Sequence, residues 1–297
     1  MYRKILVGYD DSDQAKDALS LGKVLADATD AELVVAGVFQ FDPLWGGRDP
    51  AFQEEEAEYA RKIERAAKSV GAKPEAVPSS SAARGLHELA EEIEADLILV
   101  GSAHHGRLGQ ILAGSVGLAL LHGSPCAVGI APSGYRDHAE HGIAAVAVGC
   151  DGSAESGLAL KEAVELAHGT GAKLKLVSVA EPPPIVAPNQ GWHELKKAIG
   201  EEMRERLRDA RETVPKDMDA DAILVSGDPV EALTNVATEP GTLLILGSRA
   251  YGPLRSVLLG SVSWKLARSA PCPLVVHPRG KHHEPTATRS AEDHVTS

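Results

Sequence analysis

Hydrophobic and polar positions follow two recurring patterns along the chain. Short, continuous apolar runs occupy residues 5–7, 33–38, 97–100 and 127–130. Such runs are typical of strands that are buried on both faces of a parallel sheet. Between the first two runs, apolar residues recur at spacings of three and four from Ala15 to Leu25. This spacing predicts an amphipathic helix, with Ser12 or Asp13 as its N-cap.

A longer amphipathic pattern runs from Phe52 to Val70 and has a counterpart from Trp192 to Val214. Strands that alternate with helices of this length indicate a doubly wound α/β fold, in which right-handed crossovers place helices on both faces of a sheet. The fold class predicted from periodicity is therefore α/β.

The chain repeats itself on the scale of a whole domain. KILVGYDDS, which contains Asp10, is matched by AAVAVGCDGS, which contains Asp151; the glycine-rich segment 101–115 is matched by 247–261. A repeat of this length far exceeds the roughly 20–50 residues of solenoid units. We therefore expect two domains, residues 1–132 (repeat 1) and 143–278 (repeat 2). A polar, turn-rich segment joins them, and residues 279–297 are expected to form a disordered tail.

Composition narrows the functional classes. The formal net charge of −12 over 297 residues argues against a general binder of nucleic acids or membrane surfaces. Three cysteines cannot build a disulfide framework, and small buried side chains are expected at Cys126 and Cys272, with Cys150 beside the Asp151 loop. The first residues do not resemble a signal peptide, and no apolar run approaches about 18 residues, so we expect a cytoplasmic protein without a membrane span.

Polar residues and glycines cluster where predicted strands end. Ligands bind doubly wound sheets outside the carboxyl ends of the strands, where the strand order reverses. Asp10 follows the first strand, and Gly101 begins a glycine-rich loop before a predicted helix over 116–121. Glycines let backbone N–H groups approach an anion, and a carboxylate suits ribose hydroxyls, so the pair describes a nucleotide site. The residues alone leave an alternative open: tight turns, with Ser115 and Ser261 as helix caps.

Residues 247–277, GSRAYGPLRSVLLGSVSWKLARSAPCPLVVH, resemble the signature of the universal stress protein family, G-x2-G-x9-G-[ST] followed by a helix and a final apolar strand. The AVGCDGS start of repeat 2 is also similar to the family. The resemblance covers both repeats. It implies two tandem domains of the adenine nucleotide alpha hydrolase-like type, each with a five-stranded parallel sheet, and ATP as ligand, with or without Mg.

The resemblance also assigns site residues. The nucleoside of ATP would be held by Asp10 and Val38 in repeat 1 and by Asp151 and Val179 in repeat 2. The phosphates would be held by Gly101, Gly114 and Ser115 in repeat 1 and by Gly247, Gly260, Ser261 and Ser263 in repeat 2. His104 and Ala250 stand where the signature has its second glycine, and Gly106 and Gly252, two residues later, are expected to keep the loops open.

Two further departures make repeat 2 the better nucleotide-binding candidate. Gly117 replaces the serine found at position 263, and Asp11 replaces the glycine of the Asp–Gly–Ser turn, which adds negative charge beside the expected phosphates. No arrangement of nucleophile and base is visible, so no catalytic residue is assigned, and slow ATP hydrolysis is the most that is expected.

Two functions remain after these observations. The first is a stress-response regulatory protein that binds ATP. The second is a stress-associated interaction module whose sites have lost their ligand. The last strand of each repeat is apolar and needs cover at the sheet edge, so we expect the repeats to pair as an intramolecular pseudo-dimer. Pairing of whole chains as a homodimer is left open.

Overall fold

The predicted strands form where the apolar runs allow both faces to be covered by helices. The computed structural model describes residues 1–40, 50–103, 108–181, 190–248 and 260–277. The strands of repeat 1 are β1 Lys4–Gly8, β2 Glu32–Gln40, β3 Lys73–Ser79, β4 Leu97–Gly101 and β5 Ala127–Ala131. Its helices are α1 Asp13–Thr29, α2 Pro50–Val70, α3 Ala82–Glu92 and α4 Ser115–Gly123. The expected tail, 279–297, lies outside the described residues.

Repeat 2 follows the same order of elements. Its strands are β6 Ala145–Gly149, β7 Lys173–Ala180, β8 Ala220–Ser226, β9 Thr242–Gly247 and β10 Leu274–His277. Its helices are α5 Ala154–Thr170, α6 Gln190–Glu212, α7 Pro229–Ala237 and α8 Ser261–Leu266. Two short 3₁₀ helices, Tyr135–Asp137 and Ala139–His141, lie in the segment between the repeats.

The described strands form one ten-stranded sheet in the order β3-β2-β1-β4-β5-β10-β9-β6-β7-β8. Within each repeat the five strands are parallel, as expected, and the order reverses beside the first strand. The two halves meet where β5 and β10 pair antiparallel, with Leu274 opposite Ile130 and Val276 opposite Val128. The last strand of each repeat therefore covers the other, and the expected pairing of the repeats takes the form of a single continuous sheet.

Helices cover both faces of this sheet. One core contains side chains of α1, α2, α5 and α6, and the other contains side chains of α3, α4, α7 and α8. The doubly wound architecture is therefore confirmed. Among the described residues, no helix combines the length and the apolar character needed to span a membrane.

A buried carboxylate ties the segment between the repeats to α1. Asp17 is 2% exposed and accepts hydrogen bonds from the backbone N–H groups of Gly134 and Arg136, at 2.7 and 3.0 Å. The Arg136 guanidinium also donates to the Asp13 carboxylate at 2.9 Å. These bonds fix the chain at the point where it leaves repeat 1.

A second buried carboxylate lies at the contact between the repeats. Glu162 on α5 is 9% exposed, accepts a hydrogen bond from the Tyr2 hydroxyl, and lies 3.2 Å from Nε2 of His277. Burial raises the pKa of Glu162 above its usual value, while His277 and the Tyr2 hydrogen bond act in the opposite direction. Tyr2 precedes β1 and Glu162 belongs to repeat 2, so this cluster joins the two repeats.

Candidate functional site

The loops after β1 and β6 hold their aspartates in the same way. In repeat 1, Oδ1 of Asp10 accepts hydrogen bonds from the backbone N–H and the hydroxyl of Ser12, at 3.1 and 2.5 Å. In repeat 2, Oδ1 of Asp151 accepts the matching pair from Ser153, at 2.8 and 2.5 Å. Each serine is also the N-cap of the next helix, which confirms Ser12 as the cap of α1. The aspartates are thereby fixed at the carboxyl end of the first strand of each repeat.

The residue that follows each aspartate has a left-handed backbone, with φ of 68° at Asp11 and 78° at Gly152. Aspartate is one of the few residues besides glycine that tolerate this conformation. The Asp11 carboxylate accepts a hydrogen bond from the Tyr9 hydroxyl at 3.2 Å, and it lies 3.5 Å from Nζ of Lys16. The Tyr9 hydrogen bond, supported by Lys16, lowers the pKa of Asp11. The extra charge of repeat 1 is therefore balanced by Lys16 on the protein's own surface.

The ends of β2 and β7 differ in the side chain that packs over them. In repeat 1 the Tyr59 hydroxyl donates to the carbonyl oxygen of Tyr9 at 3.1 Å and lies 3.5 Å from that of Val38. Burial raises the pKa of Tyr59, which keeps this hydroxyl a donor. In repeat 2, Met203 lines the cleft together with Val179 and has no hydroxyl.

Gly101 and Gly247 end β4 and β9, where the first turn of the neighbouring helix packs against the strand. A Cβ atom at Gly101 would collide with the backbone carbonyl of Gln14 on α1. A Cβ atom at Gly247 would lie 2.5 Å from the backbone carbonyl carbon of Glu155 on α5. Both positions therefore require glycine for packing, whether or not a ligand is bound.

The serines at the starts of α4 and α8 are not N-caps, so the alternative interpretation of Ser115 and Ser261 as caps is wrong. Gly114 and Gly260 occupy the N-cap positions, and among the residues that the structure describes no side chain caps either helix. Because the glycines end the extended segment, the serines become the first helical residues. Their exposed side chains then face the cleft instead of folding back onto the helix.

Ser263 lies one turn into α8 and is 4% exposed. Its hydroxyl is 3.4 Å from the carbonyl oxygen of Gly247, to which it donates. The side chain therefore helps to hold α8 against the end of β9 as well as lining the cleft. Gly117, the corresponding residue of repeat 1, has Val100 and Ala113 near the position of a Cβ atom, at ordinary contact distances.

Two cavities collect the predicted residues, one at the strand ends of each repeat. The cleft of repeat 1 has a volume of about 330 Å³, and its lining includes Asp10, Val38, Gly101, Gly114 and Ser115. The cleft of repeat 2 has a volume of about 460 Å³, and its lining includes Asp151, Val179, Gly247, Gly260, Ser261 and Ser263. Gly106 and Gly252 lie outside the described residues. Every predicted site residue that the structure describes thus belongs to the cleft of its own repeat.

Arg206 is a cleft residue that the sequence did not reveal. It lies on α6, lines the cleft of repeat 2, and donates from Nη1 to the carbonyl oxygen of Asp151 at 2.7 Å. A second bond, of 2.5 Å, joins it to Glu202 one turn earlier. The spacing of Glu202 and Arg206 is visible in the sequence. Only the packing of α6 on β7 and β8 shows which of its many charged residues reaches the Asp151 loop.

The cysteines are poor nucleophiles in the folded protein. Burial raises the pKa of Cys126, Cys150 and Cys272 to about 12 in each case. Because the thiolate is the reactive form, these pKa values oppose covalent chemistry at neutral pH. Among the described residues, no group of His, Cys, Asp or Glu side chains is arranged to hold a metal ion.

The fold and the paired clefts define a class: a duplicated, doubly wound α/β protein with one cleft at the carboxyl strand ends of each repeat. The chain belongs to the Universal stress protein family, whose model matches residues 1–132 and again residues 143–278.

Known proteins agree with this assignment. Universal stress protein Rv2319c of Mycobacterium tuberculosis (strain ATCC 25618 / H37Rv) is 29% identical over 244 residues, which cover 79% of this chain and 81% of that protein. A universal stress protein from Archaeoglobus fulgidus DSM 4304 superimposes with a TM-score of 0.67 at 21% identity, covering 93% of this chain and 98% of that one. The functionally unknown protein PA1789 from Pseudomonas aeruginosa PAO1 gives 0.67 at 15% identity, with 93% and 92% covered. At these identities the two structures show the shared fold.

Proposed function

We propose that this chain is a cytoplasmic stress-response protein that binds an adenine nucleotide, ATP, chiefly in the cleft of repeat 2. Residues 1–132 and 143–278 would be its two domains. The observation that carries the proposal is the shared lining of one cavity by Asp151, Val179, Gly260 and Ser261. Its volume of about 460 Å³ falls within the usual range of small-molecule sites, roughly 300–1,000 Å³.

The chemistry of this lining matches the parts of a nucleotide. A carboxylate such as that of Asp151 accepts hydrogen bonds from ribose hydroxyls. Backbone N–H groups and the Ser261 hydroxyl at the start of α8 are donors for phosphate oxygens. Apolar side chains of Val179, Ile199 and Met203 offer surface to the base. Each part of the ligand therefore meets a group of suitable chemistry within one cavity.

A cation distinguishes the cleft of repeat 2 from that of repeat 1. Arg206 lines the cleft of repeat 2, whereas the described lining of the repeat 1 cleft contains no lysine or arginine. Glu181 also lines the cleft of repeat 2. A Mg–ATP complex presents charges of both signs, so the titration must be run with and without Mg.

Calorimetry on the full chain tests the proposal with a matched pair of variants. Asp151→Asn keeps an oxygen that accepts the Ser153 hydrogen bonds but removes the negative charge, and Asp10→Asn makes the same change in repeat 1. We expect Asp151→Asn to weaken ATP binding by at least about tenfold, because a hydrogen bond to a charged group contributes about 1.5–3 kcal/mol. Asp10→Asn should leave the main binding constant within about twofold.

The sugar contact has a second check. ATP that lacks both ribose hydroxyls should bind the wild type about tenfold more weakly, and should bind Asp151→Asn no more weakly than ATP does, because the two changes remove the same interaction. A larger effect of Asp10→Asn than of Asp151→Asn would contradict the preference for repeat 2. Absence of heat with ATP at about 1 mM, with and without Mg, would contradict nucleotide binding altogether.

The cleft of repeat 1 favours the alternative function, an interaction module without a ligand. This cleft is smaller than that of repeat 2. The Tyr59 hydroxyl already donates a hydrogen bond to the carbonyl oxygen of Tyr9 and lies near that of Val38. Tyr59→Met copies the residue type that lines the cleft of repeat 2. If Tyr59 is what closes repeat 1 to ATP, this variant gains a second binding event in calorimetry; an unchanged stoichiometry would mean that repeat 1 lacks a site for other reasons.

A further inference from the structure

A groove between the second half of α6 and the edge strand β8 concentrates positive charge on an acidic protein. Four cationic side chains line it: Arg204, Arg208, Arg211 and Lys216. Glu212 is the carboxylate among its lining residues. Arg208 lies 3.5 Å from Glu205, whereas the described part of the chain offers no ion pair to the other three cations. The formal net charge of the chain is −12, so a cluster of four cations differs from the acidic character of the chain as a whole.

The floor of the groove is apolar, and one side of the groove is strand β8, which lies at the edge of the sheet. Leu207 and Val214 are buried beneath it, and Ala222 and Leu224 of β8 complete its lining. The carbonyl of Asp219 and the N–H of Gly227 both bond to β7. Because alternate residues of a strand direct their backbone groups to opposite edges, the even-numbered residues of β8 direct theirs outward.

The opposite edge of the sheet, strand β3, lacks some of the outward N–H donors that β8 keeps. In β3, Pro74 lies opposite Val35 and Pro78 opposite Phe39, the register positions that Ala222 and Ser226 hold in β8. Proline has no N–H, so two of the outward donors of β3 are removed, a common protection of edge strands. β8 contains no proline and keeps its outward donors.

The cation cluster and the unpaired edge of β8 together limit which kind of partner could bind in the groove. Pairing of β8 with β8 of a second copy would bring the two cation clusters together, which is unfavourable. Pairing with β3 of a second copy is obstructed by its prolines. A protein segment that is extended and acidic satisfies both features, because it supplies backbone partners for the edge and carboxylates for the cations.

We propose that the groove between α6 and β8 binds an acidic, extended peptide segment of another protein, which adds a strand to the edge of β8. Its backbone pairs with the outward groups of Ala222 and Leu224. Its carboxylates lie against Arg204 and Arg211 on the α6 face of the sheet, and its alternate, apolar side chains lie on the opposite face. This surface is separate from the two clefts and does not depend on nucleotide binding.

Fluorescence anisotropy on the full chain tests the proposal with a labelled peptide of alternating glutamate and valine. Two changes to the peptide serve as controls: lysine in place of glutamate, and N-methylation of every backbone nitrogen, which removes the donors on both edges of the peptide. We expect the acidic peptide to bind at or below about 1 mM, and each altered peptide to bind at least about tenfold more weakly. A single-stranded oligouridylate, which carries negative charge without a peptide backbone, is titrated in parallel.

Protein variants separate charge from backbone pairing. Arg204→Glu with Arg211→Glu should weaken binding about tenfold, whereas Arg61→Glu, an exposed arginine on α2, should not. Ala222→Pro removes one outward donor and should also weaken binding about tenfold; Pro74 shows that the fold accepts proline at this register. Should Ala222→Pro fail to fold, the N-methylated peptide makes the same test on the wild type.

The remaining outcomes overturn the proposal. Equal affinity for the acidic and N-methylated peptides would mean that the edge of β8 is not used. Equal affinity for the acidic and basic peptides would exclude the cations. Binding of the oligouridylate without binding of the peptide would make the groove a nucleic-acid surface. Self-association of the chain at low salt that Arg204→Glu with Arg211→Glu abolishes, with no peptide binding, would make it an interface between copies.

Discussion

The backbone N–H of Ile111 donates a hydrogen bond to the carbonyl oxygen of Ala270 at 2.8 Å, and so links the loop before α4 in repeat 1 to the turn after α8 in repeat 2. A second bond of 2.8 Å joins the N–H of Ala113 to the carbonyl of Ala267, the C-cap of α8. The loop that precedes Gly114 in one cleft is therefore held by the helix that begins at the other cleft.

This link predicts that ligand binding in repeat 2 stabilises the loop before α4 in repeat 1. A nucleotide that binds at the start of α8 suppresses local opening of that helix, and the amides of Ile111 and Ala113 depend on it for their acceptors. We expect hydrogen exchange at these two amides to slow by about tenfold on saturation with ATP. The amide of Gly109, bonded to the carbonyl of Ser133, is the control and should change little. Slower exchange in α8 without any change at Ile111 would disprove the coupling.

Glu162 should make stability fall as the pH rises. Burial raises its pKa in the folded protein above the usual 4.5, so the folded state binds a proton more tightly than the unfolded chain does. The stabilisation by that proton is complete below pH 4.5 and is lost as the pH rises through the folded-state pKa. The charged and titratable groups that interact with Glu162 include Tyr2, His277, the amino group of Met1, Asp96 and Cys126.

Glu162→Gln removes this titration. We expect the free energy of unfolding of the wild type, measured with urea, to fall relative to that of the variant between about pH 4 and pH 7. Glu231→Gln, at an exposed position on α7, should follow the wild type throughout. A constant difference between wild type and Glu162→Gln across this range would show that Glu162 does not titrate there.

Gly101 and Gly114 should differ in what they contribute. Alanine at position 101 would press its Cβ atom into the backbone of Gln14, and we expect a loss of about 1–3 kcal/mol in the free energy of unfolding. Alanine at position 114 meets its nearest atom, Cβ of Ala103, at 3.6 Å, so the loss should stay below about 1 kcal/mol. Urea denaturation of both variants measures this, and Gly247→Ala repeats the test in repeat 2. Equal losses at positions 101 and 114 would remove the packing explanation.

The native cysteines should resist alkylation. With pKa values of about 12, Cys126, Cys150 and Cys272 carry almost no thiolate at about pH 8. We expect mass spectrometry to find all three unmodified after exposure of the folded protein to iodoacetamide, and all three modified once guanidinium chloride is added. Rapid labelling of Cys150 alone in the folded protein would point to a reactive role beside the Asp151 loop.

Much of the fold could be predicted from apolar runs and from the spacing of apolar residues along the chain. The apolar runs became β1, β2, β4 and β5, and the spacing from Ala15 to Leu25 became α1, with Ser12 as its cap. Periodicity did not reveal β3, whose residues are mostly exposed because it is an edge strand. A strand with one face and one edge in water carries no continuous apolar run, so the pattern that identifies buried strands misses it.

The sequence alone determined the duplication and the doubly wound class, because strand burial, helix capping and the Asp–x–Ser turn are local properties of neighbouring residues. Its resemblance to the family signature indicated most of the named residues that line each cleft. Tertiary structure decided what depends on distant contacts. The antiparallel pairing of β5 with β10 joins the repeats into one sheet, Gly114 takes the cap position from Ser115, and Arg206 reaches Asp151. These relationships depend on packing between segments that are far apart in the chain. No local spacing of residues encodes which of those segments pack together.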